Sequence, residues 1–131
     1  MSTQQESPGV AVARAHVEAW SSHEFDAARE ALAPDVHVTA TTVDPGMPVT
    51  DQMGIEDYLR GLKEFAHGVV PGTARVLASL GDERHALLLV TVRAKFGPDA
   101  PAISLPGARL YLLDEDNKIK AEQVIFCALE D

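Results

Sequence analysis

His16 and Glu122 are the side chains of this 131-residue chain whose types and positions could move a proton, and Tyr58 is one that could orient a ligand beside them. His16 falls with Ala13, Val17 and Trp20 on one face of a helical stretch, opposite Arg14 and Glu18. A neutral imidazole on such a stripe can accept a proton or polarise a carbonyl. The plainer alternative is a core histidine bonded to a backbone carbonyl. Tyr58 lies on the apolar stripe of a later helix, where its hydroxyl could meet a ligand or simply be satisfied within the core. Glu122 belongs to the last strand, where Ile119, Ala121, Ile125 and Cys127 form an alternating apolar set. Plain alternation therefore turns Glu122 outward, unless a bulge shifts the phase.

The other candidates fall away on spacing. His37 and His85 lie at strand ends, and His23 and His67 follow or end helices. No His-x-x-x-His or His/carboxylate cluster has metal-ligand spacing, so no metal is expected. There is no phosphate loop, dinucleotide fingerprint or nucleophile elbow, and no cofactor is expected. Cys127 has no activating cation beside it and reads as structural. Asp44, in Asp44-Pro45-Gly46, reads as a turn residue.

The elements that must hold these residues are legible as helices followed by a meander. Residues 1–7 form a polar tail, and 8–131 a single domain. A helix runs from Pro8 to about Trp20, and a second from about Glu24 to Ala33, burying Phe25, Ala28 and Leu32 before Pro34 stops it. Val36–Ala40 is a short strand, and Thr41–Met53 a loop long enough to be a rim or lid. The third helix, about Ile55–Ala66, carries Tyr58, Leu59, Leu62 and Phe65 inward. Four strands follow: Thr73–Leu80, His85–Phe96, Ala102–Leu113 and Lys118–Phe126, separated by hairpin-type turns. Leu87 and Leu89 are apolar on what would be the open face of the sheet, so a second subunit is expected over part of it.

Composition narrows the partners. At 46% apolar and 24% charged the chain has the balance of an ordinary globular protein. A net charge of −9 argues against nucleic acid and anionic membrane surfaces. No apolar run reaches membrane-spanning length, and Met1–Gly9 lacks a signal pattern, so a cytoplasmic location is expected.

The order of elements, with Val12–Trp20, Phe25-Asp26-Ala27, Leu32–Val36, Gly54–Tyr58, Asp116–Ile119 and Val124-Ile125-Phe126 in place, resembles the nuclear transport factor 2-like superfamily. The nearest branch resembles the SnoaL-like polyketide cyclases, ketosteroid isomerases and limonene-epoxide hydrolases. The resemblance implies an α+β, cystatin-like fold: a cone-shaped barrel of curved, mainly antiparallel sheet wrapped on three N-terminal helices. It also implies an apolar cavity and a homodimer through the outer sheet face.

Carried over position by position, the isomerase aspartate (a worked example of raised and ordinary carboxyl pKa values) falls on Ala40. Its second acid falls near Pro106 and its tyrosine on His16. The epoxide-hydrolase positions fall on Val124, Leu88 and Val90. The family's usual acids are therefore missing from their positions. In the family's last-strand frame Glu122, Val124 and Phe126 point inward, opposite to the simple alternation. Trp20 either lines the cavity or plugs its narrow end.

Two functions remain open. One is an acid/base cyclase, isomerase or epoxide hydrolase acting on a small hydrophobic polyketide-, steroid- or terpenoid-like molecule. It would use His16 and Glu122 as the catalytic pair and Trp20, Ala40, Tyr58, Leu62, Leu88, Val90, Val124 and Phe126 as the pocket. The other is a dimeric binding or interaction module without turnover.

Overall fold

The computed structural model describes residues 6–42, 50–95 and 97–126. Helix α1 spans Pro8–Ser21, with Pro8 in its first turn and the Ser7 hydroxyl accepting from the Val10 amide at 3.4 Å. Its Val10, Ala13, His16, Val17 and Trp20 fall on one buried face, as the helical spacing requires. Helix α2, Phe25–Glu30, is one and a half turns long. Helix α3, Ile55–Ala66, starts directly after Gly54, whose φ of 91° a side chain rarely tolerates.

Strands β1 (Leu32–Thr42), β2 (Thr50–Met53), β3 (Arg75–Gly81), β4 (His85–Ala94), β5 (Ile103–Leu113) and β6 (Ile119–Phe126) form one sheet, ordered β2-β1-β6-β5-β4-β3. β1 and β6 run parallel, and every other pair is antiparallel. The sheet curls around the helices but stays open, since β2 and β3 are its two free edges. The α+β class and the helix-on-curled-sheet architecture are those expected from the sequence.

Several boundaries differ from the sequence reading. The second helix ends at Glu30 rather than near Ala33, because pairing with β6 captures the chain: the Ile119 amide donates to the Ala31 carbonyl at 2.7 Å. Leu32 is thus a buried strand residue. Pro34 lies in the irregularity between the Leu32 and His37 pairings, where a missing N–H costs no ladder bond. The short strand expected at Val36–Ala40 is therefore an eleven-residue one. The expected loop Thr41–Met53 contains the end of β1 and all of β2; Asp44 lies outside the described residues. β3, β5 and β6 start one or two residues beyond the expected positions, while β4 starts at His85 as expected and stops at Ala94 rather than Phe96.

The sheet's two faces are unlike. On β4, Ala86, Leu88, Val90, Val92 and Ala94 are buried against α1, while Leu87 and Leu89 are more than a third exposed on the other side. Leu80 and Leu110, both paired opposite Leu87, extend that open apolar face. The β3–β4 turn is tied by Asp82, whose carboxylate accepts from the Arg84 and His85 amides at 2.9 Å each. These bonds, the Arg84 amide foremost, hold its carboxyl below the ordinary carboxylate range. Gly9 packs on this turn so closely that a Cβ there would meet two backbone carbonyl oxygens at 2.5 and 2.6 Å.

Candidate functional site

Glu122 is buried and points toward the helices, so the outward reading from alternation is overturned. Leu113 pairs with Ile119, but Leu112 pairs with Ala121, which leaves Lys120 as the extra residue of a β-bulge. Before the bulge Ile119 faces in; after it Glu122 and Val124 do. One inserted residue flips the phase.

Taking a carboxylate out of water is costly without partners. Glu122 has two. Arg109 of β5 donates from Nη1 to Oε2 at 3.2 Å, and the Tyr58 hydroxyl of α3 donates to Oε1. All three side chains are at least nine-tenths buried. The Arg109 guanidinium lies over the Trp20 ring, 4.8 Å from its centroid, and 6.0 Å from that of Phe65. Burial opposes the charge on Arg109, but Tyr111, Glu122 and Tyr58 outweigh it and hold its pKa above the ordinary value.

His16 stands behind Tyr58. Its Nε2 is 2.8 Å from the Tyr58 oxygen and its Nδ1 is 3.0 Å from the Ala28 carbonyl. Burial pulls the imidazole below its ordinary pKa; the Glu122 charge and the Ala28 carbonyl oppose this in part. The phenols of Tyr58 and Tyr111 are pushed well above the ordinary tyrosine range, by burial first and by the Glu122 charge second. The buried Tyr111 hydroxyl lies beside Glu122 and Arg109 without a well-formed hydrogen bond.

A cavity of about 390 Å³ opens in front of this cluster, between α3 and strands β1, β2, β5 and β6. Val38, Ala40, Leu62, Phe65 and Val124 make its apolar wall; Gln52, Tyr58, Glu64, Arg109 and Glu122 are the polar groups that border it. This is the low end of the size range for small-molecule sites, and it has the usual makeup of apolar lining with few polar groups. A roomier groove, about 700 Å³, lies on the outer face among Thr39, Leu80, Leu87, Leu110 and Gln123.

The positions expected from sequence divide accordingly. Ala40, Tyr58, Leu62, Glu122 and Val124 border the inner cavity. His16 does not; it reaches Glu122 only through Tyr58, and one ring nitrogen meets backbone, as the plainer reading held. Trp20, Leu88 and Val90 are corrected from pocket to core. Trp20 lies wholly buried beneath Arg109, and Leu88 and Val90 pack under the helices. The side chain of Phe126 lies outside the described residues. Sequence reasoning missed Arg109 and Gln52. Arg109 shares its strand parity with Tyr111 and Leu113, both buried in the structure, but nothing in the sequence of β5 marks that parity as the inner one. Among the described residues no group of three or more metal-binding side chains occurs, and no helix is long and apolar enough to cross a membrane.

Residues 13–122 match the family model of the SnoaL-like domain. No curated protein matches the chain. Solved structures do. A protein assigned as a SnoaL-like polyketide cyclase from Shewanella denitrificans shares 13% identity, with a TM-score of 0.71 over 88% of each chain. A protein assigned as a ketosteroid isomerase from Kribbella flavida shares 18%, with a TM-score of 0.70 over 95% of this chain and 81% of that one. An LEH-like epoxide hydrolase of Mycobacterium tuberculosis shares 18%, with a TM-score of 0.68 over 91% and 82%. At these identities the likeness is one of fold.

Proposed function

The chain belongs to the SnoaL-like domain family, and we propose that it binds a small, largely apolar carbonyl compound in the inner cavity and moves a proton on it. One observation carries this reading: a buried carboxylate and a guanidinium border the same 390 Å³ apolar cavity. Glu122 would act as the base. Arg109 spends one nitrogen on Glu122, and its others remain to hold the ligand's oxygen as charge develops there. In such a step a C–H bond beside the carbonyl breaks and its proton passes to Glu122. The bonding pair becomes an enolate whose oxygen faces Arg109.

Solved relatives named as cyclase, isomerase and epoxide hydrolase are compatible with acid/base chemistry on small organic molecules. None of the steps drawn above needs a metal or a cofactor. A second copy of the chain would cover the outer face, where Leu80, Leu87 and Leu110 border the larger groove.

The non-catalytic reading has one observation in its favour: both oxygens of Glu122 already have protein donors. The test is enzyme-dependent exchange of α-protons for deuterium in a panel of cyclic ketones (tetralones, decalones and steroid ketones), followed by NMR. Exchange that is lost in Glu122→Gln supports the proton-transfer reading. Thermal stabilisation by these ketones without any exchange supports the binding module.

A further inference from the structure

The contacts behind Glu122 do not balance as hydrogen bonds, and the imbalance has a direction. Three heavy-atom contacts run in a row: Ala28 carbonyl to His16 Nδ1, His16 Nε2 to the Tyr58 oxygen, and the Tyr58 oxygen to Glu122 Oε1. Each requires one proton. A neutral histidine, a tyrosine and an ionised glutamate supply two between them. A carbonyl oxygen only accepts, so the histidine proton is on Nδ1, and Nε2 presents a lone pair to Tyr58. The single hydroxyl proton of Tyr58 therefore faces two acceptors. While Glu122 is paired with Arg109, the charge-assisted bond to the carboxylate takes it.

We infer that the site rests one proton short, and that Tyr58 switches its hydroxyl proton from Glu122 to His16 when Glu122 takes a proton from the ligand. The inference rests on the reading of Glu122 as the base. The arriving proton comes onto the carboxyl group, and rotation about the C–O bond swings it toward the Tyr58 oxygen. Tyr58 is then free to donate to His16 Nε2, while His16 Nδ1 keeps its bond to Ala28. All three contacts are now satisfied, and the negative charge has moved from Glu122 to the ligand oxygen, still beside Arg109. A chain completed only after proton transfer stabilises the product of that step more than the starting state. Burial of His16 supports the scheme, because a ring that resists charge remains an acceptor at Nε2. His16 is thus a positioning residue, acting through Tyr58 without touching the ligand.

The test needs no ligand, so its outcome is separable from that of the ketone exchange. Long-range ¹H–¹⁵N spectra of histidine-labelled protein at pH 7 report the protonation of each His16 nitrogen. The expected wild-type state is the neutral Nδ1–H tautomer with Nε2 unprotonated. Glu122→Gln mimics the protonated carboxyl, since its amide donates to Tyr58, and the Nε2 resonance should move upfield as it accepts the hydroxyl proton. Adding Tyr58→Phe should cancel that movement, and Tyr58→Phe alone should leave Nε2 where it is in the wild type. An imidazolium or an Nε2–H tautomer in the wild type overturns the switch. So does an Nε2 resonance unmoved in Glu122→Gln, or one displaced downfield by Tyr58→Phe alone. If Glu122→Gln does not fold, an imidazolium or an Nε2–H tautomer in the wild type, or a downfield displacement in Tyr58→Phe, still overturns the switch.

Discussion

Replacing Arg109 by leucine gives a penalty whose size follows from the buried pair. The two residues are 6% and 3% exposed, with Nη1 and Oε2 3.2 Å apart. Removing one charge from a buried pair typically costs about 3–5 kcal/mol, because the other is left in a poor solvent. Loss of the cation–π contact with Trp20 adds about 0.5–2 kcal/mol. Urea unfolding followed by far-UV circular dichroism should therefore show Arg109→Leu about 4–6 kcal/mol less stable than wild type. Adding Glu122→Gln should recover much of that loss, since no charge is then left without its partner. A deficit under about 1 kcal/mol, or one that the added Glu122→Gln leaves unchanged, would refute the claim that Arg109 and Glu122 form a buried charge pair.

Three further outcomes follow. The buried phenols of Tyr58 and Tyr111 hold their protons above the ordinary tyrosine value, so their contribution is intact below about pH 10 and is lost as pH rises beyond it. Melting temperature should fall steeply between pH 10 and 11, and a flat profile there would contradict their burial. Light scattering should give twice the 14.1 kDa chain mass for the wild type and a single chain for Leu110→Lys; a monomeric wild type would remove the outer-face dimer. Gly9→Ala should lose about 1–3 kcal/mol, since its Cβ would meet backbone that has no side-chain freedom to yield, whereas an unchanged urea midpoint would show that the turn relaxes.

How far the fold could be read in advance depended on whether one periodicity dominated locally. Helix α3 was bounded correctly because Gly54 precedes it and Tyr58, Leu59 and Leu62 repeat at helical spacing. Helix α2 was overrun because Leu32 continues its apolar stripe, while the bond that pulls Ala31 toward β6 joins residues 88 positions apart, from 31 to 119. The facing of Glu122 was misread by alternation because the bulge at Lys120 reverses it within four residues, whereas the family's last-strand frame had Glu122 pointing inward. Arg109 escaped notice for another reason: Leu110 and Leu112 are as apolar as Tyr111 and Leu113, so β5 announces no inner face. His16 and Tyr58 were each visible on a helix stripe. Their meeting, 42 residues apart, was not.

The central claim is that the Glu122 carboxylate, in its cavity, takes a proton from a bound carbonyl compound. The most direct measurement is the deuterium exchange rate at the α-carbons of the cyclic-ketone panel, compared between wild type and Glu122→Gln. The account predicts enzyme-dependent exchange in the wild type, reduced at least 100-fold in the variant, on the order of a lost general base. Exchange that persists undiminished in Glu122→Gln, with the variant folded, would contradict it.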